Sequence, residues 1–263
     1  MELRQVELDG RAVRYRVTGD GTDLVLLHGL GGSWRWWSPL VGQLAERFRL
    51  HLVELPRLGR LRAGGMSQWL GRLLDAADLE QVDIVGHSLG GLVAAELSAA
   101  RPDRVRRLVL VASAGVPCGR GLLGRALPLV EELYDVRAQL PRIVADALRT
   151  GPVSLVHGVA YVWERDVRAE LHTIEAPTLL VWGERDRLVP ARVAEEWQRL
   201  VPRSRLVRLP GGHVPMWEAP QELAACVLAF LVDQVPDDLG DETGLRVVHR
   251  VRLAGDDHET PAR

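Results

Sequence analysis

Three side chains far apart in the chain have the chemistry to cleave an acyl bond together. Ser88 stands in Gly-His-Ser-Leu-Gly-Gly, between the apolar run "VDIV" (82–85) and the helical pattern "GLVAAELSAA" (91–100). Where a buried strand turns sharply into a helix, the tip residue is held in a strained backbone and its side chain projects above the sheet. Its neighbours must then be small, as Gly86 and Gly90 are. The competing reading is a serine that merely caps the helix. A hydroxyl is a poor nucleophile until a base accepts its proton, and that base needs a carboxylate to hold its tautomer. Eight histidines compete for the role. His213, in "LPGGHVPMWEAPQEL", follows the last expected core strand on a glycine-rich loop, from which a base reaches a serine at a strand end. The side chain of His87 should diverge from Ser88 at the elbow and serve packing or hydrogen bonding. His51, His157 and His172 read as structural or as parts of an inserted segment, and His249 and His258 fall in the C-terminal tail. "LLVWGERDRLVP" places Asp186 just past an apolar strand as the carboxylate, with Glu184 and Glu218 as alternatives.

Negative charge developing on a carbonyl oxygen needs two backbone N–H groups aimed at it. Leu89, directly after the nucleophile, offers one. "LVLLHGLGGSW" offers the other at Leu30, where flanking glycines permit close approach. A phosphate-binding loop is the rival reading of that stretch, but Gly29, Gly31 and Gly32 do not match the spacing of GxGxxG.

These residues need a scaffold that brings strand ends together. Apolar runs at 24–27, 50–53, 82–85, 108–111, 178–182 and 205–209 alternate with helical patterns, the mark of an α/β fold. Because the central runs are apolar at nearly every position, they read as parallel strands covered on both faces, in a mostly parallel sheet of roughly eight strands. Residues 3–8 and 13–17 instead alternate polar and apolar, as an edge hairpin does, with "LDGR" as its turn. Between 111 and 178 the strand rhythm stops, and Pro128, Pro141 and Pro152 each precede a short helical pattern. The expected organisation is a core over 1–114 and 174–235, an inserted helical cap over 115–173, and a largely disordered tail over 236–263 in which "LRVVHRVRL" could add a strand.

Composition narrows the classes. With 33 basic and 35 acidic residues the net charge is −2, and no segment is basic enough for nucleic acid or a membrane surface. Residues 1–19 lack the apolar stretch of a signal peptide or spanning helix, which points to the cytoplasm. Cys118 and Cys226 form neither a metal motif nor a disulfide framework, and the proposed chemistry requires no metal or cofactor.

In "HGLGGS", "GHSLGG", "WGERDRLVP" and "GGHVPMWEAP", taken in that order, the chain resembles the α/β-hydrolase superfamily in its esterase-like branch with a helical cap, over about residues 3–233. The resemblance implies a triad of Ser88, Asp186 and His213, with Leu30 and Leu89 as the oxyanion hole. The loop after the fourth strand departs from the family pattern Asp-x-Pro-Gly-x-Gly-x-Ser. It reads "ELPRLGRLRAGG", with Glu54 for Asp, Arg57 for the first Gly and Leu61 for Ser. Arg57 is either a solvated loop residue or a ligand for an anionic group. The aromatic clusters at Trp34, Trp36 and Trp37 and at Tyr161 and Trp163 either pack in the core or overlook Ser88. Leu30, Val214, Leu188, Leu123, Leu127 and Val130 are expected to form an apolar wall for an uncharged acyl group. The implied activity is a carboxylesterase acting on small to medium hydrophobic esters as small-molecule partners. A serine at the elbow argues against haloalkane dehalogenases and epoxide hydrolases, which use aspartate there. Hydrolysis of a carbon–carbon bond, an enol-lactone or a thioester by the same triad is the alternative, and a non-catalytic ligand-binding protein on the same fold is the alternative of another class.

Overall fold

The computed structural model describes residues 1–57, 65–118, 131–132, 134 and 136–232, with the backbone of 246–248. The chain opens with an edge hairpin, β1 (Glu2–Leu8) and β2 (Arg11–Thr18), paired antiparallel in a register that sets Leu8 opposite Arg11. Asp9 and Gly10 both take positive φ, 52° and 71°, the handedness that a two-residue hairpin turn needs to match strand twist. β3 (Thr22–Leu27), β4 (Phe48–Val53), β5 (Val82–His87), β6 (Val105–Val111), β7 (Thr178–Gly183) and β8 (Ser204–Leu209) form the parallel body. A ninth strand, β9 (Arg246–Val248), lies antiparallel on β8 inside the segment expected to offer a strand. The rest of the tail lies outside the described residues. The sheet order is β1-β2-β4-β3-β5-β6-β7-β8-β9.

Each parallel strand is buried on both faces, which is why its sequence is apolar at successive positions. Along β3, Val25 and Leu27 join a core beneath α2 (Gly65–Ala76), α3 (Leu89–Ala100) and α7 (Ala191–Leu200). Leu24 and Leu26 point the other way, into a core under α1 (Ser38–Ala45), the single turn α8 (Pro215–Glu218) and α9 (Pro220–Val232). α2 starts at Gly65, and 58–64, with Leu61, lie outside the described residues.

Between β6 and β7 run α4 (Leu140–Thr150), α5 (Pro152–Glu164) and the single turn α6 (Arg168–Leu171). Proline falls in the first turn of α4 and of α5, where its missing N–H costs nothing. Pro128 and the proposed wall residues Leu123, Leu127 and Val130 lie outside the described residues. The sheet order reverses between β3 and β5, since β3 continues to β4 on one side and β5 to β6 on the other. In open α/β sheets such a switch point opens a crevice past the carboxyl ends of the strands, and Leu30 and Ser88 follow those two strand ends.

Candidate active site

Ser88 joins β5 to α3 with φ 51° and ψ −112°, a conformation that costs a side-chain-bearing residue of order 1–3 kcal/mol and persists only where its surroundings dictate it. They do so here. Its N–H donates to the Val111 carbonyl at 2.9 Å, and its carbonyl accepts from Leu92 and Ala114 at 3.0 and 3.1 Å. The flanking glycines are dictated by close approach. A Cβ on Gly86 would stand 2.5 Å from the Gly90 carbonyl oxygen, and one on Gly90 would stand 2.5 Å from that of Leu27. Its side chain makes no capping bond to α3, so the helix-cap reading fails.

The loop after β8 brings His213 to this serine. Ser88 Oγ lies 3.1 Å from His213 Nε2, and His213 Nδ1 lies 2.9 Å from Asp186 Oδ2, on the loop after β7. Asp186 is buried, and its other oxygen accepts the Val189 N–H at 2.8 Å, which fixes the carboxylate plane. Burial pulls the His213 imidazole down, but the Asp186 carboxylate and its hydrogen bond, with Glu132 and Glu218 behind, outweigh it and raise the ring above its ordinary value. Of the alternative carboxylates, Glu184 is exposed. Glu218 instead accepts the Gly212 and Val214 N–H groups at 2.8 and 3.0 Å, bracing the loop on either side of His213.

The loop after β3 is shaped by His28. Its Nδ1–H donates to the Gly29 carbonyl at 2.8 Å and its Nε2 accepts the Leu55 N–H at 3.0 Å, a pattern that requires the neutral ring that burial favours. Glu54, the residue in place of the family's Asp, accepts the Trp34 N–H at 3.3 Å, so the departing loop still braces this floor. Leu89 is the first residue of α3, where an N–H has no partner within the helix, and both Leu30 and Leu89 line a cavity of about 650 Å³. Ser88 is not part of that wall. Arg11, Arg14, Arg35, Arg57, Arg72 and Arg149 line it with Asp9, Glu54 and Asp146, so it is a charged cavity beside Leu30 and distinct from the wall expected around Ser88. Arg57 donates to the Arg149 carbonyl, a tie between loop and helix.

Trp36 and Trp37 are buried, as the packing reading expects. Tyr161 is committed to Glu96 on α3 at 3.0 Å, and Trp163 is 37% exposed. His51 pairs with Asp23 at 2.7 Å, His157 and His172 are exposed, and His249 and His258 lie outside the described residues. Three buried carboxylates tied to the segment between β6 and β7 escaped the sequence reading. Asp146 on α4 accepts from Ser33 Oγ at 2.8 Å and Trp36 Nε1 at 3.1 Å. Glu96 accepts from Tyr161 and Arg165. Glu132 accepts from the backbone of Arg187 and His213. Each joins the segment between β6 and β7 to the sheet body, over sequence separations that leave no local pattern to read.

Comparison with known proteins places these features among relatives. Residues 24–226 match the model of the "Alpha/beta hydrolase family". A pimeloyl-[acyl-carrier protein] methyl ester esterase of Nitrosomonas europaea is 32% identical over 247 residues, covering 82% of this chain and 98% of the relative. One from Aeromonas hydrophila is 31% identical, covering 81% and 96%. Among solved structures, a hydrolase from Pseudomonas aeruginosa superposes with a TM-score of 0.74 at 26% identity, covering 88% of this chain and 98% of that one.

Proposed function

This chain belongs to the alpha/beta hydrolase family, and from that premise we propose that it cleaves carboxylic esters with Ser88 as nucleophile, His213 as base and Asp186 as the carboxylate that orients it. It is a serine hydrolase of the ester-cleaving kind. The observation that carries the residue roles is the unbroken line from Ser88 Oγ through His213, at 3.1 Å, to buried Asp186, at 2.9 Å. With Nδ1–H donated to Asp186, the Nε2 lone pair faces the serine, so His213 takes the hydroxyl proton as Oγ attacks the ester carbonyl. The N–H groups of Leu30 and Leu89 hold the oxyanion, worth about 10²–10³-fold in rate for each donor in comparable sites. His213 then returns its proton to the leaving alcohol, and water, deprotonated in turn by His213, releases the acid from the acyl-enzyme.

The substrate we propose is an ester with a hydrophobic acyl group of small to medium size. The relatives' name, methyl ester esterase, supports the ester, and Leu30, Leu89 and Val214 support the apolar contact. The arginine-lined cavity beside Leu30 favours a second reading, in which the far end of the substrate carries negative charge. We take 1–114 and 174–235 as the core, 115–173 as the cap and 236–263 as a tail. No helix among the described residues is long and apolar enough to cross a membrane. Two free cysteines suit the reducing cytoplasm in which we place the chain.

The test is hydrolysis of p-nitrophenyl esters of increasing acyl length, with a p-nitrophenyl monoester of a dicarboxylic acid alongside and Ser88→Ala as control. Turnover that vanishes in the variant supports the reading, and preference for the dicarboxylic monoester selects its charged form. Equal turnover by Ser88→Ala overturns the role of Ser88.

A further inference from the structure

We propose that Glu132 is a positioning residue whose single carboxylate clamps the loops carrying His213 and Asp186 to one another, an inference that rests on the roles proposed for those two residues. Glu132 belongs to the segment between β6 and β7 and is 3% exposed. Its Oε2 accepts the His213 N–H at 2.9 Å, and its Oε1 accepts the N–H of Arg187, the residue directly after Asp186, at 2.8 Å. One planar group therefore sets the spacing between the backbone of the base and the backbone beside the acid. The neighbouring sequence accommodates it, since a Cβ on Gly212 would stand 2.5 Å from Glu132 Oε2. The glycine before the base leaves room for the carboxylate.

The clamp needs a carboxylate. Two N–H donors require two acceptor oxygens, and a glutamine supplies one oxygen together with an NH₂ that faces a donor. Its charge also reaches the imidazole. The titratable groups facing His213 are Asp186 at 2.9 Å, Glu132, Glu218 through the N–H groups on either side, and the His87 ring with its centroid 5.0 Å away. Glu132 in turn faces Asp186 and His213, with the Arg187 guanidinium directed to neighbouring Glu131 at 3.5 Å. Burial lifts the Glu132 carboxyl above its usual range while its two backbone N–H bonds hold it down. Being negative beside His213, it favours the protonated ring.

Position and charge are separable by experiment. Ser88 is labelled with a fluorophosphonate across a pH series in the full chain, in Glu132→Gln, Glu132→Asp and Ser88→Ala, each checked for a native circular dichroism spectrum. Glu132→Gln is expected to label about 10²-fold more slowly, the scale of a misplacement of about 1 Å in a reacting group, with its acid limb moved to lower pH because one of three negative charges facing the ring is gone. Glu132→Asp keeps the charge but is too short to reach both N–H groups, so it is expected to slow labelling with the acid limb near its wild-type place. It also carries the test if the glutamine variant does not fold. A wild-type rate in either variant overturns the clamp, and so does slow labelling by Glu132→Gln with an unmoved acid limb, which a merely structural residue would give. Failure of the underlying roles looks different, because His213→Ala, labelled alongside, would then react as fast as wild type.

Discussion

His87 Nε2 donates to the main-chain carbonyl of His213 at 2.8 Å, and the two rings stand 5.0 Å apart. The residue before Ser88 thus holds the backbone of His213. Because Nε2 donates, Nδ1 carries no proton, and Gly29 packs against it so closely that a Cβ there would lie 2.7 Å away. Burial keeps this ring neutral by holding it well below its ordinary value.

Stability should therefore fall with acidity through His87. A histidine lowered in the folded state binds fewer protons than the unfolded chain, so its contribution is present above the unfolded value near 6.5 and is lost as pH drops below it. Urea midpoints of wild type and His87→Gln between pH 7 and 5 should show the steeper decline in wild type. Parallel curves would remove His87 from the acid response.

Activity should also fall with acidity, but through an imidazole shifted the other way. Despite the lowering effect of burial, the carboxylates of Asp186, Glu132 and Glu218 favour protonated His213, and only the neutral ring accepts the serine proton. The acid limb of kcat/KM is expected above 6.5, with activity lost as pH falls through it. A limb below 6.5 would contradict the stated balance.

Asp186→Asn should lower kcat by about 10⁴-fold, the cost known when a serine protease loses the carboxylate that holds its imidazole tautomer. Retained turnover would overturn the role of Asp186, since Glu218 already holds two backbone N–H groups and Glu184 is exposed.

Asp146→Ala should strip the acceptor from the Ser33 hydroxyl and the Trp36 indole, at about 1–3 kcal/mol for each buried donor left unpaired. Its urea midpoint should fall below that of Ser33→Ala, which removes the cap on the Arg35 N–H and one bond to the carboxylate but leaves Trp36 and Arg149 on Asp146. Equal midpoints would mean that the indole finds another acceptor.

The strands were legible because double burial demands apolar residues at every position, as in Leu24–Leu27, and the hairpin because Asp9-Gly10 suits the turn. Ser88, His213 and Asp186 were legible because an elbow glycine pair and two strand-end loops leave local marks. Glu132 was not, since adjacent glutamates in a helical pattern read as a solvated face until residues 55 and 81 positions away close over one of them. Asp146 likewise meets Ser33 across 113 positions. The charged lining of the cavity beside Leu30 was also hidden, because its arginines come from the edge hairpin, the segments after β3 and β4, α2 and α4 and meet only in the folded chain.

The line from Ser88 to His213 spans 125 positions. During synthesis the elbow and its helix emerge long before the residues that activate them. On the roles proposed for Ser88 and His213, a ribosome-bound chain ending before 213 carries a serine with an ordinary alcohol's reactivity, and hydrolytic competence arrives only when the last parallel strand has docked.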